Sequence, residues 1–169
     1  RGRAFHLSLG YLFAGIAARD DITIHELSFD ENGFMIKLSH EVEISIIPEI
    51  FKNDNSEEIL QRYLIDSQLF SKRFREISSR SMLNPRRIGA DEVSPKQFLQ
   101  KADQILHKHR QMEDSVLVRE AMNEILSSDL DMNQLRDVIS RMDSEHVRKV
   151  HRRVKIPSPL GMTLFMSSF

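Results

Sequence analysis

Apolar residues run from Ala4 to Ala18, interrupted only by His6, Ser8, Gly10 and Gly15. A membrane span needs roughly 20 mostly apolar residues, so this shorter, broken run predicts a buried helix. The period then drops to two. Ile22 and Ile24 alternate with polar neighbours, and Asp30-Glu31-Asn32-Gly33 separates them from Phe34, Ile36 and Leu38. Asn-Gly offers the positive φ of tight hairpins, so the pattern predicts two antiparallel strands. Val42, Ile44 and Ile46 alternate with Glu41, Glu43 and Ser45 as a third strand that Pro48 stops.

From Asn55 the period becomes about 3.6. Ser56 caps a helix carrying Ile59, Leu60, Tyr63 and Leu64, and the next buries Leu69, Phe70, Phe74 and Ile77 before Asn84-Pro85. Ser94, Pro95 and Gln97 form a strong start signal for a helix with the stripe Phe98, Leu99, Ala102, Ile105 and Leu106. Val118, Ala121, Met122 and Ile125 make the next stripe; Leu135, Val138, Ile139 and Met142 make the last, capped by Asp131. Beyond it Val150, Arg152, Val154 and Ile156 alternate with Lys149, His151, Arg153 and Lys155, a strand with one basic face. Pro157 and Pro159 force an extended turn, and Met162, Leu164 and Met166 suggest a closing strand. The expected fold is α+β: a small antiparallel sheet from both chain ends around a central block of about five helices. Residues 1–52 carry the first helix and strands, 55–145 the helical block and 147–169 the C-terminal strands, all in one domain.

With 169 residues and 40% hydrophobic content the chain can bury a core without staples. It has no cysteine, which excludes disulfides and thiolate metal sites and fits a reducing, cytoplasmic compartment. Its first residue is Arg1 and no cleavage-site pattern follows the apolar run, so an excised piece of a longer polypeptide is expected. The net charge of -1 hides segregation: Lys72 to Arg87 and Arg148 to Lys155 each carry +5, leaving -11 for the rest. Such asymmetry hints at an anionic partner.

Enzymatic chemistry is not evident. No glycine pair is spaced as a phosphate-binding loop before Lys-Ser or Lys-Thr, so ATP hydrolysis by this chain is not expected. No Gly-x-Ser-x-Gly elbow accompanies the serines. His107 and His109, two apart on a helix, point to nearly opposite sides, and His146 and His151 straddle a helix end, so no metal site is expected. Glu120 and Glu124 could act as an acid and base pair, against the commoner reading of a solvated face on which Arg119 and Arg136 pair with acids.

Two basic constellations remain. On the helix after Gln68, Lys72, Arg75 and Ser79 share one strip, and Arg73 and Arg80 lie seven apart on an adjacent one. Guanidinium matches phosphate oxygens bidentately, which makes Lys72, Arg75 and Arg80 candidate nucleic-acid contacts. The alternative is structural, with Arg73 paired to Glu76 and Arg80 tying down a carboxylate. On the C-terminal strand Lys149, His151, Arg153 and Lys155 would repeat about every 6.6 to 7 Å, near the phosphate spacing of an extended single strand, which makes Lys149, Arg153 and Lys155 candidate contacts. There the alternative is an edge strand whose lysines block aggregation. The phenylalanines occupy core periods, so stacking platforms and sequence-specific readout are not expected.

Three stretches also resemble a known family, in its order. They are Leu9-Gly10-Tyr11-Leu12-Phe13-Ala14, then Leu69 to Arg80 with Phe74, Arg75 and Arg80, and finally Leu117-Val118-Arg119-Glu120 leading to Ile156-Pro157-Ser158-Pro159-Leu160-Gly161. This is similar to the C-terminal, DEAD/H-associated accessory domain of the large helicase-related (Lhr-type) superfamily 2 helicases. Ser78 and Ser79 depart from the alanine-containing pattern of the family's phenylalanine-arginine helix. The resemblance implies a noncatalytic domain of a DNA-repair helicase whose RecA-like motors use ATP and Mg. Those motors drive 3′-to-5′ translocation on single-stranded DNA, unwinding duplexes or RNA:DNA hybrids. The implied partners are the tracking strand and the winged-helix and RecA-like domains of the same polypeptide, with no membrane. From a different class, the chain would be a structural or protein-interaction module bracing those domains without touching nucleic acid.

Overall fold

The computed structural model describes residues 2–40, 55–88, 91–112, 114–143, 150 and 152–166. The chain divides into two compact units, 1–63 with 130–169, and 64–129. The helical block expected at 55–145 is therefore shared between them.

In the first unit, helix α1 (Arg3–Arg19) buries Phe5, Leu7, Leu12, Ala14, Ile16 and Ala17, consistent with a core helix. No helix among the described residues is long and apolar enough to cross a membrane. Strands β1 (Ile24–Phe29) and β2 (Phe34–Leu38) pair antiparallel, Phe29 opposite Phe34, and α1 lies on both. The hairpin was expected, but not its closure: neither Asn32 nor Gly33 adopts positive φ. Instead the Asp30 carboxylate accepts the N–H groups of Asn32 at 2.7 Å and Gly33 at 3.0 Å, and the Asp30 N–H reaches the Gly33 carbonyl at 2.9 Å. A side-chain acceptor replaces the special backbone conformation. The expected strand at Val42 to Ile46 lies outside the described residues.

Helix α2 (Ser56–Leu64) crosses α1 at Gly15, where an added Cβ would stand 3.1 Å from the Ile59 carbonyl oxygen and from Tyr63 Cβ. Helix α6 (Met132–Asp143) also packs on α1 through buried Met132 and Leu135. The buried Ser8 hydroxyl binds that entry, accepting the Asp131 N–H at 2.9 Å while donating to the Ala4 carbonyl at 2.9 Å.

The C-terminal expectation is corrected here. Residues Pro159–Met166 form a helix, α7, and not a closing strand. Pro159 takes the first helical position and the Ser158 hydroxyl accepts the Gly161 N–H at 3.2 Å, a start signal that outweighs the alternation of Met162, Leu164 and Met166. Helix α7 packs on β2, so the chain's end covers the hairpin without extending it. Residues 152–156 are not in a strand either. Val150, Val154 and Ile156 are 63%, 64% and 72% exposed, so no apolar face opposes a basic one. Alternation makes a strand only where a neighbouring edge closes its backbone hydrogen bonds. The α+β class with a small antiparallel sheet holds; its C-terminal strands do not.

The second unit contains α3 (Gln68–Arg80), a short hairpin of β3 (Arg87–Ile88) and β4 (Asp91–Glu92), α4 (Pro95–Arg110) and α5 (Val116–Glu124). A π-helical turn at Ile125–Asp129 follows. The Ser94 start signal acts as read, its hydroxyl accepting the Gln97 N–H, and the structure adds two further caps, with the Ser67 and Ser115 hydroxyls accepting the N–H groups of Phe70 and Val118. The core between the helices is Phe70, Phe74, Ile77, Ala102, Leu106, Ala121 and Ile125. Helix α3 stops four residues before Asn84-Pro85, because Met82 turns left-handed with φ 58°. Met82 is 83% exposed, so its side chain offers the core little in return for that conformation. Met82→Gly is expected to stabilise the chain by roughly 0.5–1 kcal/mol in denaturant unfolding, and a loss of stability would refute the strain.

Candidate nucleic-acid interface

The outer face of α3 divides into two strips with different uses. On one, Arg73 is held by carboxylates from three places: Asp129 at 2.6 and 2.7 Å, Glu76 at 3.0 Å and Glu124 at 3.4 Å. The hydrogen bonds that Arg73 donates to the Asp129 carboxylate lead the influences that raise the Arg73 pKa, with burial opposing them. The π-helical turn carries Asp129, so the wider winding after α5 supports this contact. Arg80 also pairs with Glu124. Glu124 is thus an ion-pair acceptor, and the ion pairs weighed as the structural alternative for Arg73 and Arg80 are formed. Arg119 and Arg136 pair with Asp114 and Glu57, as expected of a solvated face.

On the other strip, Lys72, Arg75, Glu76 and Ser79 line a groove of about 460 Å³. Its remaining walls come from Arg86, Glu92 and Val93 at the hairpin and from Pro95, Phe98 and Leu99 in the first turn of α4. Lys72 and Arg75 make no ion pair among the described residues. The groove holds three cations against two carboxylates, one of which, Glu76, is already engaged by Arg73.

Three wall residues were missed as site candidates in the sequence. Arg86 belongs to the basic stretch, but its placement depends on the hairpin, where its carbonyl accepts the Val93 N–H at 2.9 Å. Its guanidinium lies 5.5 Å from the centre of the Phe98 ring. Phe98 is half-buried and Leu99 is 44% exposed, although both belong to an apolar stripe. On α4 full burial begins one turn later, at Ala102, which frees the first turn to line the groove. The fully buried Asn84 sets that turn, its amide donating to the Phe98 carbonyl at 3.0 Å.

The C-terminal candidates lie in the other unit. Arg153 and Lys155 are exposed on the non-strand segment before α7, and Lys149 lies outside the described residues. His109 packs its ring 6.0 Å from Phe74 and shares a 2.9 Å hydrogen bond with Ser115, whereas His107 contacts Gln111 at 3.0 Å. Among the described residues no group of three or more metal-ligating side chains comes together.

Comparison with known proteins gives matches over most of the chain. The family model described as DEAD/H associated matches residues 1–161. The ATP-dependent helicase Lhr-Core of Saccharolobus solfataricus is 22% identical over 170 residues, covering 98% of this chain and 19% of that protein. The ATP-dependent helicase Lhr-Core protein 2 of Thermococcus barophilus is 24% identical over 166 residues, covering 96% of this chain and 19% of the relative. Among solved structures, the Mycobacterium smegmatis helicase Lhr bound to ssDNA and AMP-PNP matches with a TM-score of 0.77 and 24% identity. That match covers 96% of this chain and 21% of the other, and it shows a common fold. The chain spans about a fifth of the length of these relatives.

Proposed function

Because the chain belongs to the DEAD/H-associated family, we propose that it is a noncatalytic accessory domain of an ATP-dependent Lhr-type helicase. Its part there is to help hold the single strand during 3′-to-5′ translocation. ATP and Mg act at motor domains elsewhere in that polypeptide, with the winged-helix and RecA-like domains as neighbours. The observation that carries this reading is the division of labour on α3. Arg73 and Arg80 are spent on carboxylates, while Lys72 and Arg75 face a groove that Arg86 makes more positive. Cations left without acidic partners suit a polyanion held through its backbone, without base-specific readout.

The bracing-module reading has its own support in the exposed apolar residues of the other unit, Val150, Val154, Ile156 and Met166. Salt dependence separates the two. A strand held by four to six phosphates loses affinity with salt at a log-log slope of roughly -3 to -4. Replacing Lys72 and Arg75 with glutamine is expected to flatten that slope by about 1.4, at roughly 0.7 per phosphate contact. Arg80→Gln, which breaks the pair with Glu124, is expected to leave the slope near that of the parent. A Lys149, Arg153 and Lys155 triple glutamine variant asks whether the C-terminal segment shares the path. Parental affinity and slope in both the Lys72/Arg75 and the triple variants, each shown to be folded, would replace strand holding with bracing.

A further inference from the structure

The groove has a second character that phosphate binding does not use. Besides Lys72 and Arg75 its lining includes the apolar Val93, Pro95, Phe98 and Leu99, and the Arg86 guanidinium lies over the Phe98 ring. A groove that only tracked a sugar-phosphate backbone would need no such wall, because phosphates gain nothing from apolar surface. Planar π-faces do gain from it. Unstacked bases pack on aromatic rings and on guanidinium planes, whatever their identity. A volume of about 460 Å³ also falls within the range of small-molecule sites.

Resting on the strand-holding reading above, we infer that this groove takes one unstacked nucleobase of a single strand against Arg86 and Phe98. Lys72 and Arg75 hold the flanking phosphates. Arg86 is positioned for this by the Val93 N–H on its carbonyl, and Phe98 by the Asn84 amide on its own. A duplex keeps its bases stacked and paired, so the slot selects single strands without selecting sequence.

The experiment compares two probes of equal charge on the 169-residue chain, an oligothymidylate and the same backbone made of abasic residues. Each is titrated by fluorescence anisotropy at several salt concentrations. Base stacking contributes about 1–3 kcal/mol per base, so the base-bearing strand is expected to bind roughly 5- to 150-fold more tightly. Phe98→Leu and Arg86→Lys, which keep apolar bulk and charge respectively, are expected to abolish that preference. Phe98→Leu is expected to leave abasic-strand affinity and its salt slope as in the parent, which a misfolded variant would not. Equal affinity of the parent for the two probes would overturn the base slot and leave phosphate holding intact. Absence of binding to both probes, or tighter binding of polyglutamate than of either, would overturn the slot and the strand-holding reading together.

Discussion

Phe74→Ala is expected to destabilise the 64–129 unit by about 3–5 kcal/mol, the usual cost of truncating a buried phenylalanine. Phe74 is fully buried on α3, stacked 6.4 Å from Phe70 and tilted 6.0 Å from the His109 ring of α4. Removing it opens space between the two helices that support the groove. The lining cannot collapse freely, because Phe70 and Ile77 on the same helix are themselves buried. Denaturant unfolding with tryptophan-independent detection, such as far-ultraviolet circular dichroism, measures this in a chain that has no tryptophan. Phe74→Leu, which keeps most of the volume, should lose less than half as much. A loss below about 1 kcal/mol for Phe74→Ala would mean that α3 and α4 are not packed through this ring.

Arg73→Leu is the second large effect, at about 2–4 kcal/mol. Three carboxylates converge on this guanidinium, and its side chain and those of Asp129 and Glu124 are only 22–23% exposed. Truncating one partner of a desolvated ion pair leaves the other charges uncompensated, which costs more than the pair itself contributes. Arg73→Lys should recover part of the loss, since an ammonium keeps the charge but cannot make the forked contact with Asp129. An isolated exposed pair would instead cost under about 1 kcal/mol, and that result would reduce the cluster to surface electrostatics. The variant also reaches the function. Arg73 lies between Lys72 and Arg75 in the chain, so its anchoring to α5 and the π-helical turn fixes which side of α3 those two cations present.

Much of this arrangement was legible in residue order. Period 3.6 located α3, α4 and α5, and the Ser94 start signal fixed where α4 begins, because capping and amphipathic burial are local properties set within one or two turns. The strip Lys72, Arg75 and Ser79 was legible for the same reason: helical spacing alone places residues three and four apart on one face. The pairing of Arg73 with Glu76, three residues away, was also within reach of that rule. The C-terminal helix was misread although its signal, Ser158-Pro159, has the form that located α4 at Ser94-Pro95. The downstream residues of α4 repeat with helical period, whereas Met162, Leu164 and Met166 fit period two as well, and a short apolar run does not choose between them.

What the sequence by itself determined about this protein is much of its local structure and its family: the helical periods from Ser56 to Met142, the β1–β2 hairpin, the charge segregation and the motif order. Each depends on residues close along the chain. Only the tertiary structure decided which cations are ion-paired among the described residues, because Asp129 and Glu124 lie 56 and 51 residues beyond Arg73. Likewise only packing turned Phe98 and Leu99 from stripe positions into a groove wall and brought Arg86 over the Phe98 ring. Burial at the end of a helix depends on whether a neighbouring element reaches that far, and no periodicity within the helix encodes its neighbour's length.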